Sequence, residues 1–357
     1  MKRVVIAMSG GVDSSTAAAI LKDEGYDVIG ISMYLYPFCE KTHHPSFPGN
    51  RCCSLQGIND ARSVALKLKI PFYVVNFQKE FQEKVIDHFC REYQRGRTPN
   101  PCILCNREIK FKLLLEKAKQ LGAQYLSTGH YARIEKNSRG YLLKKGLKGN
   151  GEQSYFLYTF TQEQMAQILM VLGSYGKAEV RKIAKKFRLP VAEKEASQEI
   201  CFIDEDYRKF LSSHFPSLPG EIVDVKGNVL GKHEGVSCYT VGQRRGIGSY
   251  GKPYYVVSID TEHNRIVVGP EEELFSDELI AEEVHFISED GVKGNLDVIA
   301  KIRYNHRGEE AIVSPVGEGK ALVRFRKPVR SATPGQAVVF YEGDVVLGGG
   351  TIEKIVK

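Results

Sequence analysis

The 357-residue chain has no apolar run long enough to cross a bilayer, no low-complexity tract and no internal repeat. These absences exclude a helical membrane protein, a disordered scaffold and a solenoid. Nor does the chain open like a secreted precursor. MKRVVIAMSGG has a basic pair but only a short apolar run, cut off by a glycine turn, and reads as a buried first strand rather than a signal peptide. The eight cysteines are therefore expected in a reducing cytoplasm, where neighbouring thiols tend to be catalytic or metal-binding. Charge is only mildly one-sided. A formal net charge of +7 accommodates a polyanionic partner without demanding one.

What is present is a soluble composition, 42% hydrophobic and 26% charged, on a chain too long for one core. Over the first two hundred residues strand-like runs (VVIAM, DVIGISMYL, FYVVNF, YLSTGHYARI) alternate with helical stretches (SSTAAAILKDEG, LQGINDARSVALKLKI, IKFKLLLEKAKQLG). That alternation predicts a parallel sheet covered on both faces, a domain spanning 1–210. From PSLPGEIVD onward short β-branched runs such as VSCYTVG and PYYVVSIDTEHNRIVVG are separated by turn residues, predicting a small β-rich domain over 211–278. EEELFSDELIAEEV reads as a linker or an edge strand. The remaining runs, over 279–357, predict a closed β-barrel.

Two stretches carry chemistry. After the first strand, Ser9-Gly10-Gly11-Val12-Asp13-Ser14-Ser15 leads straight into a helix. Such a turn aims several backbone N–H groups and a helix N-terminus at one spot, so an anion fits there, and the three serines add hydroxyl donors. It is not the GxxxxGK[ST] phosphate loop, because no lysine follows. The second stretch is TPNPCILCNREIKF, with Cys102 and Cys105 behind Pro99 and Pro101. Its spacing suits a metal-ligand pair, a redox pair, or one reactive thiol beside a structural one. Cys39, Cys52, Cys53, Cys90 and Cys238 carry no comparable motif and read as structural, and Cys201 taken alone reads as a small buried residue in an apolar strand.

SGGVDS after an N-terminal strand resembles the pyrophosphate (PP) loop of the ATP pyrophosphatases, which cleave ATP between its α and β phosphates and adenylate a substrate oxygen. The resemblance implies an adenine nucleotide alpha hydrolase-like fold for the first domain. It also implies that Ala7, Met8, Ser9, Gly10, Gly11, Val12, Asp13 and Ser14 hold ATP, accompanied by magnesium, with Met33 and Gly129 flanking adenine and ribose. Further motifs follow in order: NDAR, TPNP..LCN..IKF, TGHYAR, QSYFLY, SQEICFI, YTVGQRRG and TPGQAVVFY. Together they resemble the tRNA-specific 2-thiouridylases, which put sulfur on C2 of the wobble uridine. The resemblance covers nearly the whole chain.

It implies Cys105 as nucleophile and Cys201 as the carrier of a persulfide supplied by a cysteine desulfurase or sulfur-relay protein. It implies tRNA, by resemblance those for Lys, Glu and Gln, against Asn100, Pro101, Cys102, His130, Gly151, Glu152, Gln153, Arg244, Arg245, Arg303, Tyr304 and Gln336. Cys102 departs from the pattern, since many members carry aspartate there, so a general-base role does not transfer. A CxxC pair with a distant third cysteine raises a second route, in which Cys102, Cys105 and Cys201 ligate a [4Fe–4S] cluster. Two rivals stay open at this stage: an amide-forming ligase sharing the ATP loop, and a nucleotide-gated RNA-binding module without catalysis.

Overall fold

The computed structural model describes residues 1–36, 54–148, 151–195, 200–203, 206–288 and 294–356. Cys39, Cys52 and Cys53 lie outside them. The chain divides into two compact units: Met1–Val85 with Cys102–Phe202 and Asp344–Val346, and Ile86–Pro101 with Ile203–Gly343 and Leu347–Lys357.

The first unit is built on β1 (Arg3–Ala7), β2 (Asp27–Tyr34), β3 (Phe72–Asn76), β4 (Tyr125–Ser127) and β7 (Ile168–Leu169), in the order β3-β2-β1-β4-β7. Every pairing is parallel, with Val4 opposite both Val28 and Tyr125. Helix α1 (Val12–Asp23) follows β1, and α2 (Leu55–Leu68) precedes β3. Ala17, Ala18 and Ala19 of α1 are wholly buried, in one core with Val4 and Ile6 of β1 and with Val180 and Ala184 of the helix Lys177–Lys186. Small residues on successive positions suit a helix covered on more than one side, which is why α1 shows little amphipathic contrast.

YLSTGHYARI is not one strand. It breaks at 128–131, and its second half forms β5 (Ala132–Asn137), a hairpin with β6 (Gly140–Lys145) that pairs with Val345 and Val346. The break carries Gly129 and His130 away from the sheet edge and into a turn.

In the second unit β8 (Gly220–Asp224), β9 (Val229–His233), β10 (Tyr255–Asp260) and β11 (Arg265–Gly269) form a sheet ordered β10-β11-β8-β9. Ile222, Val256, Ile266 and Val268 are its core. VSCYTVG, read as a strand, contains instead a 3₁₀ turn at Val236–Cys238.

The C-terminal strands are β12 (Phe275–Phe286), β13 (Leu296–Lys301), β14 (Glu309–Gly317), β15 (Lys320–Arg330), β16 (Ala337–Glu342) and β17 (Val345–Val356). They run β12-β15-β14-β13-β16-β17, and β12 pairs antiparallel with β17, so the sheet closes into a six-stranded barrel. The segment read as a linker or edge strand is thus the closing strand. Closure removes the free edge, and Leu279, Val313, Val323, Phe340 and Ile352 fill the interior.

Candidate active site

Parallel neighbours end on the same side, so the segments following β1, β2 and β4 share one edge of the sheet. The strand order reverses between β1 and β4, the position where open α/β sheets bind ligands. The glycine turn sits there. Gly10 has φ +73°, and a Cβ on it would lie 2.1 Å from the carbonyl oxygen of Gly57, so only glycine fits against the first turn of α2. The Ser9 N–H donates to Ser14 Oγ at 3.2 Å. Ser14 and Ser15 are 5% and 0% exposed, which leaves Ser9 as the most accessible of the three hydroxyl residues. Gly11 caps α1 without a side-chain bond, so the helix presents its first N–H groups at the turn.

Gly129 closes the other side. A Cβ there would stand 2.6 Å from the Ser14 nitrogen. Beyond it, the Tyr131 hydroxyl donates to Asp13 Oδ1 at 2.6 Å. Burial pushes the Asp13 carboxyl above its ordinary range, against the opposing pull of Tyr131, Lys177 and Arg181. Met33, near the end of β2, is buried.

The cysteine turn is helical from the second proline. Pro101 occupies the first helical position, where its fixed φ and missing N–H cost nothing. Cys102 is exposed and Cys105 buried. Three apart on a helix, they lie on neighbouring positions of one face. From Cys105 to Leu113 the helix widens into π turns before regaining α geometry at Leu114. Such widening is rare and concentrates at functional sites. Asn106, 2% exposed, donates to the Phe156 carbonyl at 3.1 Å and accepts from Lys110 at 3.0 Å, fixing the turn to the QSYFLY segment.

Cys201 stands in a turn, not the apolar strand read from the sequence, and is half-buried. The next residue, Phe202, packs edge-on against Phe81 with ring centroids 5.8 Å apart. The helical segment continuing from Phe81 is tied to the Cys105 helix by Lys84 and Glu108, 3.5 Å apart. Burial opposes ionisation of Glu108, but Arg107 and Lys112 outweigh it and hold the carboxyl below its usual range.

Iron–sulfur ligation needs three thiolates converging on one point. Among the described residues no group of three or more His, Cys, Asp or Glu side chains is arranged to hold a metal ion. An exposed Cys102, a buried Cys105 and a half-buried Cys201 therefore do not form the expected cluster site in this structure. Of the cysteines read as structural, Cys90 is buried and burial beside Asp87 pushes its thiol up to about 11, while Cys238 is half-buried.

The residues expected at RNA are spread over both units. His130 Nδ1 is 2.7 Å from Thr128 Oγ1 and its ring packs on Phe111. Burial, with Lys110 adding repulsion, holds its pKa well below the ordinary histidine value, so the imidazole is neutral. Gln153 accepts from the Tyr131 N–H at 3.1 Å, and its own N–H donates to the Tyr131 carbonyl, while Glu152 accepts from the N–H of Ser154. Within the second unit Arg244 and Arg245 are exposed in a glycine turn. Arg303 donates to the Arg330 carbonyl at 3.0 Å, and Lys301 lies over the Tyr304 ring at 6.0 Å. Gln336 Nε2 donates to the Thr98 carbonyl at 2.8 Å. The Thr98 N–H donates to the Pro334 carbonyl, and its hydroxyl is 3.1 Å from that of Thr240. The barrel and the small sheet thus both hold the start of TPNP. Sequence reasoning gave no sign of this brace, whose partners are far apart in the chain.

The sheet order and the glycine turn together define an α/β nucleotide-binding domain of the PP-loop class. Residues 2–205 match the tRNA methyl transferase HUP domain, 208–270 the tRNA methyl transferase PRC-barrel domain and 276–352 the aminomethyltransferase beta-barrel domain. The tRNA-specific 2-thiouridylase MnmA 1 of Thermoanaerobacter sp. (strain X514) is 51% identical over 361 residues, covering 99% of each chain. The tRNA-specific 2-thiouridylase MnmA of Geobacter metallireducens is 52% identical over 357 residues, covering 99% of this chain and 97% of its own. The chain belongs to the tRNA-specific 2-thiouridylase family.

Proposed function

We propose that this protein is a tRNA sulfurtransferase that converts the wobble uridine to 2-thiouridine at the expense of ATP. The observation that carries the reading is the presence, in one compact unit, of the glycine turn at the sheet edge and of the Cys105 and Cys201 thiols. An amide-forming ligase would need no such thiols, and a purely binding module would release no AMP.

A uracil carbonyl oxygen is a poor leaving group, so it is first activated. O2 attacks the α-phosphorus of ATP and pyrophosphate departs. Ala7 to Ser14 hold ATP, with the phosphates at the N–H groups of Gly10 to Ser14 and the α1 N-terminus, and Met33 and Gly129 border the nucleoside. Magnesium bound with ATP would neutralise phosphate charge. Asp13 is the one carboxylate in that loop that would hold it, through the oxygen not engaged by Tyr131. Cys201 carries the incoming sulfur as a persulfide. Cys105 attacks the Cys201 sulfur, the S–S bond breaks, and the terminal sulfur leaves as hydrosulfide. It adds at C2, AMP departs with the former O2, and a Cys105–Cys201 disulfide remains. Two electrons from an external thiol reset it.

Asn100, Pro101 and Cys102 face the extruded base in this reading, with His130 and the 151–153 turn beside it. Arg244, Arg245, Arg303 and Tyr304 contact the tRNA, the arginines at its phosphates. Gln336 contributes by steadying the TPNP loop. Domains over 1–210, 211–278 and 279–357 divide the work into chemistry, a central module and RNA contact. The donor is a desulfurase or relay protein, and the setting is the cytoplasm. No helix among the described residues is long and apolar enough to cross a membrane.

The test is ATP, unmodified tRNA for Lys, Glu or Gln and a persulfide donor, followed by nucleoside mass analysis. Wild-type protein yields 2-thiouridine and AMP, while Cys105→Ser and Cys201→Ser yield none. Full activity in Cys105→Ser would overturn the assignment. Cys102→Ser separates the routes, since a colourless variant retaining activity excludes the cluster.

A further inference from the structure

The glycine turn lacks the lysine that phosphate loops of the GxxxxGK[ST] type place one residue before the helix hydroxyl. The fold supplies one from elsewhere. Lys194 Nζ lies 3.3 Å from the carbonyl oxygen of Gly10 and 2.6 Å from Asp60 Oδ2. The two side chains are only 16% and 20% exposed. Both anchors are fixed. Gly10 is locked in its left-handed conformation against Gly57, and the other oxygen of Asp60 accepts from Gln56 at 2.7 Å on α2. An ammonium has three donors, and the partners of Lys194 among the described residues occupy two.

We propose that Lys194 is a phosphate-positioning residue of the nucleotide site, held beside the loop by Asp60 and turned to the polyphosphate when ATP enters. This rests on the reading of the glycine turn as the ATP site and deepens it. The physical case is charge and place. Backbone N–H groups and a helix terminus supply only partial charges, whereas ATP brings several full negative ones. Lys194 brings a whole positive charge to the backbone of the turn. Asp60, 2.6 Å away, holds the lysine near the loop without ATP and competes with the nucleotide for it.

A purely structural brace between α2 and the turn predicts a different pattern, so paired variants decide. ATP and adenosine affinities are measured by titration calorimetry on the full chain, with melting temperatures alongside. Lys194→Met is expected to weaken ATP by at least about tenfold, the effect of losing one charge-assisted hydrogen bond, with adenosine unchanged. Lys194→Arg recovers most of the loss. Asp60→Asn lowers the melting temperature yet binds ATP at least as tightly as wild type, because its competitor is gone. If Lys194→Met does not fold, Asp60→Asn still decides. Weaker ATP binding in Asp60→Asn, or an unchanged affinity in Lys194→Met, overturns the proposal. Wild-type protein that binds no ATP would instead sink the underlying reading of the turn.

Discussion

Replacing Gly129 by alanine drives a methyl group into the backbone of the α1 N-terminus. The new Cβ stands 2.6 Å from the Ser14 nitrogen, 2.9 Å from the Asp13 carbonyl carbon and 3.0 Å from the Ser14 Cα. Ordinary contact begins near 3.4 Å, so the two backbones must part by about 0.8 Å, the difference between 3.4 and 2.6 Å. Helix α1 has little room to retreat, since Ala17, Ala18 and Ala19 behind it are 0% exposed. Overpacking of this kind costs about 1–3 kcal/mol. The N–H groups of the first turn move with it, so ATP affinity falls by roughly tenfold or more as their hydrogen bonds lengthen. Gly25→Ala is the control. Gly25 has φ +84° beyond the other end of α1, with nothing within 4 Å of a Cβ. That variant pays only backbone strain of about 1–2 kcal/mol and keeps wild-type ATP affinity. Calorimetric titration and thermal melts read both variants. A Gly129→Ala protein with unaltered melting and ATP binding would refute the placement of the nucleotide at this edge.

His130 is neutral in the fold and its pKa lies below the unfolded value of 6.5. As pH falls through 6.5 the unfolded chain takes up a proton that the folded chain refuses, so stability is lost toward acid, by up to about 1.36 kcal/mol per pH unit for each such group. His233 and His306 are shifted the same way, which makes the difference between variants the useful measure. Wild-type melting temperature should drop more steeply from pH 7.5 to 5.5 than that of His130→Gln, and parallel curves would refute the assignment. Gln336→Ala removes the 2.8 Å bond to the Thr98 carbonyl, a net loss of about 0.5–1.5 kcal/mol in holding the loop. Turnover should fall with little change in tRNA affinity. A loss confined to affinity would make Gln336 an RNA contact instead.

The parts of the molecule legible in the sequence were those written locally. The apolar runs of β1, β2 and β3 and the helices α1 and α2 announce a parallel sheet, and the glycine turn between β1 and α1 announces an anion site. The misread parts depend on distant partners. YLSTGHYARI reads as one strand, yet its second half leaves the sheet to pair with β6, which is itself paired with Val345 and Val346. Strand β12 is rich in acidic residues and resembles a linker, but its alternation becomes meaningful once β15 and β17 flank it. Side-chain engagement was the least visible level. Gln336 meets Thr98 across 238 positions and Lys194 meets Gly10 across 184, and no local pattern encodes either contact.

In the proposed route the uracil oxygen leaves as part of AMP. Transfer RNA carrying ¹⁸O at O2 of the wobble uridine, incubated with ATP, a persulfide donor and this protein, tests it directly by mass analysis of the AMP released. One ¹⁸O is expected in AMP for each 2-thiouridine formed. Unlabelled AMP accompanying 2-thiouridine would contradict it.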